Sequence, residues 1–246
     1  MSGNTYGQQA AADYRASREI PRDGLDSWRR AVAEEAALKP GATLIDVGAG
    51  TGAFAAAFHD WFGVRVLAVE PAEAMRALIP VAPGIEVLDG TGEALPVADG
   101  AADAAWLGSV LHHLSDLGAT ARELRRALKP GAPVLIRNAF PGRCDRDLRV
   151  RFFPETARQI ADYASVEQVT AAFAAEGFRQ VALRSLPQQN APTLAAFAAG
   201  LRRASDSKLR ALSDEEYERG LAALHAAAAA DPAEPAVSWM DLLVLA

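Results

Sequence analysis

The sequence predicts an α/β fold in which a mostly parallel sheet is covered by helices on both faces. Three observations predict it. Between Thr43 and Asn138, short apolar runs of strand length alternate with Ala-rich helical stretches. The runs are apolar at consecutive positions, as suits strands buried on both faces. The run Leu44–Val47 then empties into Gly48, Gly50 and Gly52 and re-enters a helical pattern, which reads as strand, tight loop, helix.

Taken in order, the periodicity predicts a helix over 24–38 that stops at Lys39-Pro40-Gly41, because proline cannot continue it and glycine turns the chain. The first strand is 43–47 and the helix after the loop 53–61, closed by Gly63. The second strand, 64–69, finishes on Glu70-Pro71. A short helix, 72–78, turns through Pro80, Pro83 and Gly84 into a third strand, 85–88. The fourth strand, 104–108, opens onto Ser109, His112 and His113 and a helix ending at Leu128. Lys129-Pro130-Gly131 repeats the earlier stop before a fifth strand, 133–137. Residues 139–163 read as an inserted helical segment rich in Arg and Phe. A helix over 166–176 leads through Gly177 to a sixth strand, 178–186. Residues 190–230 read as helical, and 239–245 as a last apolar strand. The expected organisation is a single domain over 1–246, with a core of about 24–138 and 164–246 and cap elements 1–23, 139–163 and 190–232.

Ligands of such sheets sit outside the carboxyl ends of the strands. The glycine loop, Glu70, Thr91-Gly92-Glu93, Ser109, His112-His113 and Arg137-Asn138 all fall at those ends. Two cofactors compete for the loop. Gly48, Gly50 and Ala53 satisfy a dinucleotide fingerprint, with Glu70 placed to hold a ribose. Asp46, however, would repel a pyrophosphate and would favour a cationic ligand such as S-adenosylmethionine.

The chain has 246 residues, half of them hydrophobic, and a formal charge of −6, with a pI near 5.3. That balance argues against general nucleic-acid binding. The single cysteine, Cys144, excludes an intramolecular disulfide and fits a reducing compartment. The polar start has no signal-peptide core, and no stretch reads as a membrane span, so a cytoplasmic protein without membrane or nucleic-acid partners is expected. No Cys/His cluster has ligand spacing, so no metal is expected. In the first 23 residues Tyr6, Tyr14, Arg15 and Arg18 are either surface groups or a flap over the ligand.

LIDVGAGTG, VLAVEP, GEALPVADGAAD, LGSVLHHLSD and LKPGAPVLI, in that order, resemble the successive motifs of class I S-adenosylmethionine-dependent methyltransferases. The resemblance is close over 38–136. It implies a Rossmann-like seven-stranded sheet of order 3-2-1-4-5-7-6, with 237–245 inserted antiparallel between strands five and six. It implies S-adenosylmethionine as cofactor and S-adenosylhomocysteine as product. Asp46, Gly48, Gly50 and Gly52 would line the methionine moiety, with Ala49 where the family often has Cys. Glu70 would take the ribose hydroxyls, followed by Pro71, and Met75 would pack near the adenine. Thr91-Gly92-Glu93 departs from the family's Asp-Ala-Glu, which leaves Thr91, Asp89 or backbone to read the base. Gly108, Ser109, Tyr14 and Arg18 complete the expected cofactor set.

His112 and His113 are candidate bases, since histidine titrates near neutrality, or else cap a helix or line the cofactor. Arg137, Asn138, Phe140, Arg149 and Phe153 form the candidate substrate set. Arg143, Arg146, Arg149 and Arg151 read either as a solvated amphipathic helix or as an Arg fork for an anionic acceptor. The expected activity is methyl transfer to a small-molecule acceptor by a monomer or homodimer. The alternatives are an S-adenosylmethionine-binding enzyme of non-methylating type, such as a cyclase, and a non-catalytic scaffold.

Overall fold

The structure, a computed structural model, describes residues 22–246. Tyr6, Tyr14, Arg15 and Arg18 lie outside the described residues. Seven strands form one sheet of order β3-β2-β1-β4-β5-β7-β6: β1 (Thr43–Val47), β2 (Arg65–Val69), β3 (Ile85–Leu88), β4 (Ala104–Gly108), β5 (Val134–Asn138), β6 (Gln180–Ala191) and β7 (Ala236–Leu245). The first five pair in parallel. β7 runs antiparallel to both β5 and β6. The strand order implied by the motif series is the one observed.

The alternation of side chains along each strand explains the double-sided burial. Ile45, Val47, Leu107 and Ile136 face one apolar cluster, shared with α4 (Leu117–Ala127) and α7 (Val166–Ala174). Leu44, Val66, Trp106 and Leu135 face the other, shared with α1 (Asp26–Ala36) and α2 (Ala53–Phe62). α1 ends earlier than the Lys-Pro-Gly stop suggests. Ala37 takes a left-handed conformation and donates to the Ala33 carbonyl. The short α3 is Glu73–Arg76.

The largest departures from the expected elements lie after β5. β6 does not end at Leu186 but runs through Pro187 to Ala191, pairing Pro187 with Trp239 and Gln188 with Ser238. Proline reads as a strand stop, yet β6 is an edge strand, where a missing N–H is tolerated. The strand therefore takes Asn190, which the sequence reading placed at the start of a helical stretch. The expected helix over 190–230 is broken into α8 (Leu194–Gly200), α9 (Ser207–Arg210) and α10 (Asp214–Ala230). Each starts on its own side-chain cap, Thr193, Asp206 and Ser213. The 139–163 segment supplies α5 (Leu148–Phe152) and α6 (Ala157–Ala161).

The two insertions share one apolar cluster, in which Leu148, Phe152 and Phe153 pack with Leu194, Phe197, Leu209 and Leu224. Gly220 of α10 makes the contact possible. A Cβ there would lie 2.2 Å from the Phe153 ring. The cap is thus one packed unit drawn from two stretches of chain.

Candidate functional site

A cleft of about 800 Å³ opens between the carboxyl ends of the strands and this cap. The glycine loop forms part of its floor through Gly48, Ala49 and Gly50. Tertiary contacts force the loop's shape. Gly48 has φ +67°, and a Cβ on it would meet Val110 Cγ2 at 2.4 Å. Gly50 has φ +58° and open space where a Cβ would project. The Gly48 and Ala49 amides donate to the Val69 carbonyl, at 2.8 and 3.0 Å. Gly52, at the start of α2, sits against Ile79 and Pro80 rather than in the cleft.

Glu70, at the end of β2, is buried and ties the loops together. Its Oε2 accepts from the Gly50 amide and its Oε1 from the Ala72 amide, each at 2.9 Å. Every carboxylate oxygen has a second lone pair, so the group can still accept two hydroxyls. Pro71 is exposed and Met75 buried beside this loop. Arg76 holds Asp89 at 2.9 Å and also donates to the Glu70 and Pro71 carbonyls. Thr91, Gly92 and Glu93 form a turn outside the cleft lining. The Glu93 carboxylate accepts from the Ser115 amide at 2.6 Å and from its hydroxyl at 3.0 Å. Those bonds outweigh burial and hold its carboxyl below the usual value.

Asp46 is 2% exposed, and its Oδ2 has no hydrogen-bond partner. Burial, reinforced by the nearby Glu70 charge, pushes its carboxyl up to about 7, against the pull of the Ala55 amide. An unfolded aspartate titrates near 3.8. Between those values the folded protein keeps a proton that the unfolded chain has lost. This contribution to stability is fully present below pH 3.8 and is lost as pH rises to about 7. Asp46→Asn is expected to lose less stability than wild type between about pH 5 and about pH 8, measured by urea unfolding. Equal losses in the two proteins would contradict the assignment.

Gly108 and Ser109 close the end of β4. Ser109 is held at φ 56° although it is not glycine. Its amide donates to the Arg137 carbonyl at 2.7 Å, and its Oγ accepts from Arg137 Nη1 at 2.9 Å. Arg137 is 6% exposed and also donates to Gln188 Oε1. Its guanidinium lies over Trp28 at 5.2 Å and over Phe54 at 5.3 Å. Asn138 is buried and donates to the Ala139 carbonyl. His112 and His113 sit on a single 3-10 turn, Leu111–His113, with ring centroids 4.0 Å apart. His112 stacks on Tyr163, 4.7 Å away with planes 10° apart.

Arg149 faces the cleft and pairs with the buried Asp206, tying α5 to α9. Phe140 and Phe153 do not face it. Phe140 lies in the sheet core and Phe153 in the cap core, both fully buried. Phe140 lies just past β5 and Phe153 just past α5, and sequence does not show what packs over such positions between elements. The Arg fork does not form either. Arg143 pairs with Asp241, Arg146 lies over Trp239, and Arg151 pairs with Glu234. Gln188, Asn190, Tyr163 and Lys208 line the cleft without having been singled out as site residues. Ending the sixth strand at Leu186 hid the first two.

Among the described residues, no helix is long and apolar enough to cross a membrane. Residues 45–136 match the family model described as a methyltransferase domain. An uncharacterized methyltransferase of Mycobacterium avium (strain 104) is 41% identical over 114 residues, 45% of this chain and 44% of that protein. The chain therefore spans under half the length of such relatives. A putative methyltransferase from an antibiotic biosynthesis pathway of Anabaena variabilis superposes with TM-score 0.65 at 20% identity, over 88% of this chain and 95% of that one. Haemonchus contortus phosphoethanolamine N-methyltransferase 2, in complex with S-adenosyl-L-methionine, does so with TM-score 0.63 at 16% identity, over 98% of this chain and 57% of that one. At such identities the likeness speaks to the fold. Residues 45–136 of this chain thus match a methyltransferase domain, and the chain shares its seven-stranded fold with these structures.

Proposed function

We propose that the protein is an S-adenosylmethionine-dependent methyltransferase acting on a small-molecule acceptor, with core and cap working as a single domain. One observation carries the reading: the cleft floor is a glycine loop backed by two buried acidic residues, of which Asp46 has an orphaned oxygen. A buried carboxylate without a partner is costly unless it meets a donor or a cation. The cofactor's ammonium and sulfonium supply such charge, whereas a pyrophosphate would add repulsion.

The residues present fit this cofactor. Gly48, Ala49 and Gly50 would flank its methionine part, and Glu70 would accept from its ribose hydroxyls. Gly108 and Ser109 border the same cleft, while Met75 and the turn at 91–93 would lie toward the base. Bound there, S-adenosylmethionine supplies a methyl group on a positively charged sulfur. The chain's own contribution is alignment and the exclusion of water. The cap covers the cleft and the strand ends fix its floor, which suits a displacement that depends on positioning. His112, seated between His113 and Tyr163, would take a proton from an O–H or N–H acceptor at an imidazole nitrogen. Arg137, Asn138 and Arg149 bound the acceptor side. We read the protein as cytoplasmic, monomeric or dimeric, and without nucleic-acid or membrane partners, in keeping with its acidic charge and single cysteine.

Incubation with S-adenosylmethionine carrying a labelled methyl group and pooled small acids, phosphate esters, amines and phenols tests the proposal. Label in a product, together with S-adenosylhomocysteine, is expected. A ring-closed product without label would favour the cyclase reading. Cofactor binding without turnover of any pool would favour a scaffold.

A further inference from the structure

We infer, resting on the methyltransferase reading, that the acceptor is held by a neutral amide of its own, a carboxamide or lactam, seated on the uncharged side chains of Ser109, Gln188 and Asn190. Arg137 orients the first two. Its Nη1 donates to Ser109 Oγ at 2.9 Å and its Nη2 to Gln188 Oε1. A guanidinium has donors only, so the Gln188 side chain must turn its oxygen to Arg137. That leaves the Gln188 NH2 pointing away from Arg137, and it leaves the Ser109 hydroxyl with its own hydrogen to give. Among the described residues, nothing accepts from either group. Both residues line the cleft, and Gln188 is 4% exposed. Two neutral donors are thus fixed on one wall.

Asn190 is delivered to the same wall by a bulge at the end of β6. Gln188 pairs with Ser238 and Gln189 with Val237, but the register then shifts, and Ala191 pairs with Ala236. Asn190 is the extra residue. A regular strand sends neighbours to opposite faces, whereas a bulge re-aims a side chain. Here Asn190 and Ala191 both line the cleft. The strand end is also braced, since a Cβ on Gly24 would lie 2.2 Å from the Gln189 carbonyl oxygen. The turn Arg22–Leu25 therefore packs directly on the strand. Asn190 Oδ1 is buried and has no hydrogen-bond partner among the described residues. A buried acceptor without a donor is costly, and a ligand N–H would satisfy it.

Donors beside an orphaned acceptor complement an amide. The amide oxygen has two lone pairs, for the Ser109 hydroxyl and the Gln188 NH2, and the amide N–H meets Asn190 Oδ1. A carboxylate would instead bring an oxygen against Asn190 Oδ1, and a ketone would leave it orphaned. Phe197 and Leu201 line the same cleft and suit an apolar body on the acceptor.

Protein first saturated with S-adenosylhomocysteine is titrated with hexanamide, hexanoate and heptan-2-one, which share a pentyl chain, with calorimetry as readout. Hexanamide is expected to bind at least ~5-fold tighter than either of the others. Asn190→Leu breaks no hydrogen bond among the described residues and is expected to bring the amide and the ketone to equal affinity. Gln188→Glu keeps an oxygen for Arg137 but removes the NH2, and is expected to weaken amide and ketone together. A merely structural role for Asn190 would leave the ratio of amide to ketone unchanged. That result would overturn the inference, as would hexanoate or heptan-2-one binding as tightly as hexanamide, or no binding of any of the three. Failure of S-adenosylhomocysteine to bind in the first step would instead sink the methyltransferase reading.

Discussion

Glu70→Ala is expected to weaken S-adenosylhomocysteine binding by on the order of 100-fold or more. Two charge-assisted hydrogen bonds to ribose hydroxyls, each of about 1.5–3 kcal/mol, would be lost together. The Gly50 and Ala72 amides, which both donate to this carboxylate at 2.9 Å, would also lose their acceptor. The glycine loop would then be less well ordered for any ligand. Glu70→Gln separates the contributions, since its amide oxygen can accept one of the backbone N–H groups but carries no charge. Calorimetry on the three proteins should rank wild type, Gln and Ala in order of falling affinity. An alanine variant that binds within about threefold of wild type would mean that the ribose is held elsewhere.

Gly48→Ala is expected to destabilise the protein by on the order of 2–5 kcal/mol. Left-handed backbone costs a non-glycine residue about 1–2 kcal/mol, and forcing an atom into a filled space about 1–3 kcal/mol. Both apply here, with φ at +67° and Val110 Cγ2 at 2.4 Å. Adding Val110→Ala should recover the steric part of the loss and leave the backbone part, as read from urea midpoints. Gly50→Ala is the control. Its Cβ would meet no protein atom within 4 Å, so only the backbone cost applies and the larger effect should fall on cofactor affinity. A Gly48→Ala protein as stable as wild type would show that the loop relaxes away from Val110.

The sequence by itself determined the order of elements and the place of the cofactor loop. Both depend on local rules: apolar runs of strand length, glycines where the chain must turn, and stops at Lys-Pro-Gly. The sheet order followed from five motifs in series, because that order reflects a shared topology. Where packing overrides local preference, sequence was not enough. Pro187 reads as a strand end, but on the edge strand β6 it is carried through, and that extension brings Gln188 and Asn190 to the cleft. The Ala-rich stretch 190–230 reads as continuous helix, but the strand extension and three separate caps divide it.

Side-chain destinations after β5 were decided by tertiary structure alone. Arg143, Arg146 and Arg151 look equivalent to Arg149 in sequence, and each of the four has its own partner in the framework, yet of these only Arg149, paired with Asp206, lines the cleft. Phe140 and Phe153 went to two different cores. Asp46 shows the division most plainly. Its position before the glycines was legible, but its orphaned oxygen and raised pKa come from burial beside Glu70, a residue brought near by the pairing of β1 with β2. Charge and periodicity are properties of the chain, whereas burial and the pairing of charges are properties of its packing.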